Sequence, residues 1–219
     1  MQPKLWPILA APLIRQNPVM LQILGICSAL AVTTTVATAL TMSVALTAVL
    51  VMGAAIISAI RRHIPSTIRI MLQIIIVASL VIVIDQILQA WFFELSQSLS
   101  VYVSLIATNC LVLGRTESFA LRNPPLPSAV DALGNGLGYS LVLVTMGGVR
   151  ELFGAGELLG HTVLPTVDQG GWFEPLSLMM LAPSAFFLLG LMIWGLRSLI
   201  PEQVEQPEFQ TPEVAEAQR

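Results

Sequence analysis

Charge is the first thing this chain lacks. Of its 219 residues, 11% are charged and 55% are hydrophobic, whereas a soluble domain carries roughly 25% charged residues. That shortage excludes a globular enzyme coated in charge, and it excludes a disordered chain, which needs the opposite balance. A basic excess is lacking too, since 10 Lys and Arg stand against 13 Asp and Glu. No face can neutralise a run of phosphates, so nucleic acid is excluded as a partner. Cysteine is scarce, with two residues and no CxxC pair. The glycine fingerprint of a dinucleotide-binding fold is missing as well,. A cleavable secretory leader is not expected, because Pro3, Pro7, Pro12 and Pro18 would break its apolar helix,.

What the chain does have is apolar length, with a mean hydropathy of +0.82. A membrane span takes about 20 apolar residues to cross ~30 Å of hydrocarbon. Runs near 19–38, 41–60, 68–93, 98–119, 129–149 and 177–199 predict six spans. The dividers are a threonine-rich stretch around 33–42, Arg61-Arg62-His63-Ile64-Pro65, the polar stretch 94–100, the loop 115–128 and the long stretch 150–175. The expected fold is an all-α polytopic membrane protein. Residues 1–18, with Lys4, Trp6 and Arg15, form an interfacial segment,. Residues 19–97 and 98–200 form two three-helix units, and 201–219 form a disordered acidic tail with five Glu and one Arg,.

Basic residues then sort by side. Lys4, Arg15, Arg61, Arg62, Arg69, Arg115, Arg122, Arg197 and Arg219 share one side of a six-span chain, and Arg150 alone faces the other. Positive charge stays on the cytoplasmic side, so both termini are expected there.

Sliding the chain against itself by 83 residues aligns Cys27 with Cys110, Ile23 with Ile106, Leu30 with Leu113, Thr33 with Thr116 and Ala37 with Ala120. Three spans are an odd number, so a second copy would run the opposite way through the bilayer as an inverted repeat. Inversion places Cys27 about 12 Å from one face and Cys110 about 18 Å from the other at ~1.5 Å per residue. Both thiols then sit near the midplane. Ser28 and Thr33-Thr34-Thr35 flank one, and Thr108-Asn109 and Gly114 flank the other. Helices one and four are therefore expected to break near mid-membrane, where irregular backbone is tolerated only inside protein or around a cavity.

The residues leave three roles open for the two cysteines. They can be buried free thiols that pack as small apolar groups, or a disulfide, or ligands of a metal. A two-iron cluster needs four thiolates, so a second chain would have to supply two.

At these residues a family becomes recognisable. The run from Asn17 to Thr34 (NPVMLQILGICSALAVTT) closely resembles the first span of the D subunits of bacterial Na+-translocating NADH:quinone oxidoreductases. Thr108-Asn109-Cys110 with the run Gly114 to Ala120 (GRTESFA) resembles their fourth span. The run Asp131 to Tyr139 (DALGNGLGY), Arg150-Glu151-Leu152 and the run Leu181 to Phe187 (LAPSAFF) extend the likeness, which covers nearly the whole chain up to Glu205. An electron-transport complex called Rnf has a similar membrane component. The stretches Cys27 to Leu30 and Asp85 to Leu88 resemble the Na+ pump more closely.

The resemblance implies six spans in two inverted halves, paired with a homologous E-type subunit of opposite orientation. It implies that Cys27 and Cys110 ligate a [2Fe-2S] cluster shared with that homologue. It further implies an inner-membrane complex of six subunits that oxidises NADH, reduces ubiquinone and exports Na+, with FAD, FMN and riboflavin on other subunits. A carrier without redox chemistry and a purely structural subunit are the competing readings.

Asp85 is the one clear carboxylate inside a span, and Asp131 stands at the start of another. Intramembrane carboxylates commonly line ion paths, so both are candidates for a Na+ path. The alternatives are a helix cap for Asp131 and a structural hydrogen bond for Asp85. Glu117 is expected to pair with Arg115, while His63 and His161 are expected in loops without a second ligand. Gly134 and Gly138 offer a small face for close helix packing. The stretch 150–175, with five glycines from Gly154 to Gly171 and with Trp172, is expected to dock on neighbours.

Overall fold

Apolar residues at helical spacing dictate the elements, and threonine, glycine and proline set where they stop. The structure, a computed structural model, describes residues 8–9, 12, 17–65, 68–91, 105–158, 161–162, 179 and 181–199. In chain order these form α1 (Ile26–Val32), α2 (Val36–Ile60), α3 (Arg69–Trp91), α4 (Cys110–Arg115), α5 (Pro125–Ala155), β1 (Glu157–Leu158), β2 (His161–Thr162) and α6 (Ala182–Leu199). A π-helical turn, Thr116–Ala120, continues α4. Among the described residues the regular elements are helical apart from the antiparallel β1–β2 pair, in which Leu158 faces His161. His161, expected in a loop, lies in that pair.

Among the described residues, three stretches are long and apolar enough to cross a membrane: α2, the Arg69–Ile87 part of α3, and α5. Most of α6 forms a shorter apolar helix, Pro183–Ser198. The start of expected span four, most of the long stretch before α6 (Gly160, Gly170, Gly171 and Trp172 included) and the acidic tail lie outside the described residues.

Two span boundaries are corrected. Expected span one, 19–38, is helical as α1 only over Ile26–Val32. The divider falls at Thr33–Thr35, the start of the threonine-rich stretch around 33–42, so residues 36–38 already belong to α2. Expected span five, 129–149, is longer at both ends as α5. Pro125 occupies its first turn, where a missing N–H costs nothing,.

The core lies between α2 and α5, which share the most extensive interface. Met42, Leu46, Val49, Leu50 and Ile57 of α2 meet Tyr139, Val142, Leu143 and Met146 of α5, all buried. Steps of three and four residues keep each set on one helix face. Gly136 lets the helices approach, because a Cβ there would sit 2.6 Å from Thr47 Cγ2. Gly134 and Gly138 meet the N-terminal segment: a Cβ would lie 2.7 Å from Leu9 O and 2.5 Å from Pro12 O. Their small face thus receives backbone from outside any long helix. By contrast α3 is peripheral, and Ile70, Met71, Ile75 and Ile82 point outward from it.

Candidate functional site

The site is built where the starts of α1 and α4 meet against the middle of α5. The chain enters α1 through an irregular turn. Asn17 Oδ1 accepts from the N–H groups of Val19 (3.0 Å) and Met20 (3.4 Å), and Asn17 Nδ2 donates to Gly138 O on α5 (3.0 Å). Leu24 N–H then donates back to Pro18 O at 3.0 Å. Two residues here have positive φ, Ile23 (55°) and Gly25 (82°). A β-branched residue in that region is strained, and the hydrogen bonds around it hold it there. Gly25 combines the conformation with tight packing: a Cβ would sit 2.9 Å from the Tyr139 ring.

Cys27 and Cys110 each lie in the first turn of a short helix. Gly25 N–H, two residues ahead of Cys27, donates to Cys110 Sγ at 2.9 Å. The loops bearing the two thiols, 83 residues apart in sequence, are therefore in direct contact. Both cysteines are free and exposed on the surface of the chain. That corrects the reading of them as buried apolar thiols and removes the disulfide. Among the described residues no group of three or more His, Cys, Asp or Glu comes together, so the chain presents two thiols here.

Ser28 joins the two loops to α5. Its Oγ lies 3.0 Å from Gly25 O, 2.6 Å from the Tyr139 hydroxyl and 2.7 Å from Asn109 Nδ2. Gly25 O can only accept, so the single Ser28 proton goes to it. Tyr139 and Asn109 must then both donate to Ser28 Oγ. The Asn109 orientation follows from the other end of its amide, where Oδ1 accepts from Leu111 N–H at 2.9 Å and caps α4,. Ser28, Asn109 and Tyr139 are all buried.

The far end of α1 is locked differently. Thr33 Oγ1 donates to Ala29 O at 2.6 Å, and its repeat counterpart Thr116 Oγ1 donates to Val112 O at 2.9 Å. After Thr33 the helix stops, and threonines take over its backbone. Thr38 Oγ1 donates to Val32 O, and Thr35 Oγ1 accepts from Thr38 N–H as the cap of α2. Arg150, 1% exposed, donates to Leu30 O (3.4 Å), Thr33 Oγ1 (2.8 Å), Met179 O (3.2 Å) and Leu181 O (3.3 Å). Its neighbour Glu151 accepts from Val36 N–H at 2.6 Å, at the start of α2. The cation thus meets the carbonyl end of one helix and the carboxylate meets the amide end of the next, as helix dipoles favour.

Asp131 is buried in the second turn of α5 and is gripped by Arg115 Nε and Nη2, so it is an ion-pair partner and not a cap. Arg115 also lies over the Phe119 ring, 5.7 Å from its centroid. Glu117 pairs with Arg69 of α3 (2.6 Å) and accepts from Gln73 (2.9 Å), which corrects the expected Arg115–Glu117 pair. Residues two apart on a helix do not face each other. Asp85 stands well along α3 and accepts from Gln89 at 2.8 Å.

The expected site residues are thus unequally gathered. Cys27 and Cys110 come together with Ser28 and Asn109, whereas Asp85 and Asp131 sit on different helices with different partners. Tyr139, Arg150 and Glu151 were missed as parts of this framework. Tyr139 is one of two tyrosines in the chain. Arg150 is the one basic residue on its expected side, and that oddity signalled a structural cation.

A family model described as Rnf-Nqr subunit, membrane protein, matches residues 5–193. A Yersinia enterocolitica protein, named as the D subunit of a Na(+)-translocating NADH-quinone reductase, is 57% identical over 199 residues, covering 91% of this chain and 95% of the relative. A Pseudomonas aeruginosa protein of the same name is 55% identical over 215 residues, covering 98% and 96%. With a family model spanning both cysteine loops and relatives more than half identical over nine-tenths or more of both chains, this chain belongs to the Rnf-Nqr family of membrane subunits.

Proposed function

We propose that this chain is the D-type subunit of a Na+-translocating NADH:ubiquinone oxidoreductase and relays electrons across the bacterial inner membrane, coupled to Na+ export. The names of its relatives support the enzyme. The NADH, flavin and quinone sites, with FAD, FMN and riboflavin, belong to other subunits of a six-subunit complex. Cys27 and Cys110 would hold a [2Fe-2S] cluster as two of its four thiolate ligands, and a homologous E-type subunit of opposite orientation would supply the other two. The observation that carries this reading is the Gly25–Cys110 contact together with the exposure of both cysteines. Two thiols joined by their loops and open to a neighbour fit half of a four-thiolate donor set.

Bound there, such a cluster supplies one-electron transfer between carriers on the two sides. The chain's own residues hold and shield the site. The starts of α1 and α4 present the thiols, Ser28 and Asn109 keep the two loops in register, and buried Val19, Leu111 and Val112 keep water from the protein side.

Six spans in two inverted halves, with both termini cytoplasmic, is the topology assigned. The three long apolar helices support it, as do the matching back-bonds of Thr33 and Thr116. The nine-to-one sorting of basic residues also supports it,, and the single exception, Arg150, is buried among carbonyls. The family description also covers Rnf-type complexes, while the relatives' names favour the Na+ pump.

The test is iron content and the electron paramagnetic resonance signal of the purified complex, with and without Cys27→Ala and Cys110→Ala. Loss of the signal in both variants is expected, and its persistence in both overturns the assignment. Asp85 and Asp131 are assigned to a Na+ path. Asp131 shares its charge with Arg115, so Asp85→Asn is the sharper probe. NADH oxidation should continue while quinone reduction loses Na+ dependence, and an unaltered Na+ titration counts against the role.

A further inference from the structure

The Gly25 N–H that reaches Cys110 Sγ comes from the other half of the chain, out of a loop with strained backbone. Such strain persists only where surroundings over-determine it, and it concentrates at functional sites. Here the surroundings are specific. Gly25 is fixed on its carbonyl side by Ser28 Oγ, and the face of Gly25 is backed by the Tyr139 ring. Ser28 gives its one proton to Gly25 O, and its two lone pairs accept from Asn109 and Tyr139, so all three of its bonding positions are used,. Tyr139 is 0% exposed on the longest helix among the described residues, so its hydroxyl is a fixed donor. A chain of hydrogen bonds therefore runs from α5 through Ser28 to the Gly25 carbonyl, which also accepts from Ala29 N–H at 3.2 Å. That carbonyl lies in the peptide plane after the one whose N–H meets the sulfur, so the chain acts by fixing the Gly25 backbone and, through it, the direction of the N–H.

We infer that Tyr139 is a positioning residue that acts through Ser28 to aim the Gly25 N–H at Cys110 Sγ, and that this hydrogen bond sets the reduction potential of the site. The inference rests on the assignment of Cys27 and Cys110 as cluster ligands. An N–H donor on a ligand sulfur stabilises the more negative, reduced state, so a weaker donor lowers the potential. The arrangement also gives the cysteine pair an asymmetry that the repeat alone would not: a loop of the first half tunes the thiol of the second.

The experiment is a redox titration of the paramagnetic resonance signal in the purified complex carrying Tyr139→Phe or Ser28→Ala. Tyr139→Phe keeps the ring against Gly25 and removes only the hydroxyl. With iron and subunit content at the wild-type level, its midpoint is expected at lower potential, and Ser28→Ala is expected to shift further in the same direction. A wild-type midpoint in Tyr139→Phe overturns the inference whatever Ser28→Ala does. So does loss of iron or failed assembly in Tyr139→Phe, because the hydroxyl would then hold the structure together instead of tuning the site. The cysteine variants separate this result from the underlying reading. A signal that survives both of them removes the ligand assignment, whereas a signal that they abolish and Tyr139→Phe leaves unmoved removes only the tuning role.

Discussion

α1 and α4 begin alike and end differently. Each carries a cysteine in its first turn, and each has a buried threonine that bonds back four residues, Thr33 in one and Thr116 in the other. Yet α1 stops at a threonine break sealed by Arg150 and Glu151, whereas α4 runs on through a π-helical turn tied by Arg115 to Asp131 and by Glu117 to Arg69. The beginnings are held in common, through Ser28, and the ends are held separately. A change at the shared end should therefore disturb both thiols, and a change at either far end should alter stability while leaving the two thiols as they are.

The largest break in that comparison is Arg150→Met. It takes a charged donor from Thr33 Oγ1 and from the carbonyls of Leu30, Met179 and Leu181, of which the last two keep Ser184. Hydrogen bonds to a charged group are worth about 1.5–3 kcal/mol each, so losing even two of these costs about 3–6 kcal/mol. The protein is expected to fall sharply in abundance, measured by its level in membranes relative to its partner subunits. Arg150→Lys should not restore it, since one ammonium cannot span the same fork of acceptors.

Gly25→Ala tests the shared end. Forcing an L side chain to φ near +82° costs roughly 1–2 kcal/mol,. Overlap with the Tyr139 ring adds about 1–3 kcal/mol more. Thermal unfolding of the solubilised complex should move down, and reactivity of both thiols toward a maleimide in the separately expressed chain should change together. Altered reactivity at Cys27 alone would show that the two loops are not one unit.

Glu117→Gln is the smallest break. Its pair with Arg69 is partly exposed, at 30% and 47% for the two side chains, so the loss is about 0.2–1 kcal/mol. A small drop in melting temperature without change at the cysteines is the expected outcome.

Much of this comparison was legible before any fold was known. Cys27 and Cys110 stood out as thiols set among polar residues in apolar runs, and the 83-residue offset paired them. The threonines at 33–35 marked a break, and Asn109 before Cys110 had the chemistry of a helix cap. The partners of these groups were not legible. Tyr139 lies 111 residues from Ser28, and nothing local to either announces the other. Arg115 sits two residues from Glu117 and invited the wrong pairing, because helical geometry turns those side chains apart and brings Asp131 and Arg69 to them instead,.

The sequence by itself determined the solvent and the ingredients: lipid around most of the chain, from its scarce charge and long apolar runs, and two thiols repeated at a fixed offset. Only the tertiary structure decided which groups meet. Hydrophobic periodicity says that a helix has a buried face, but every apolar neighbour satisfies that demand about equally well. A buried hydroxyl, amide or guanidinium accepts only particular partners at particular distances. Those directional bonds, made across 81 to 111 residues, tie the start of α1 to that of α4 and both to α5.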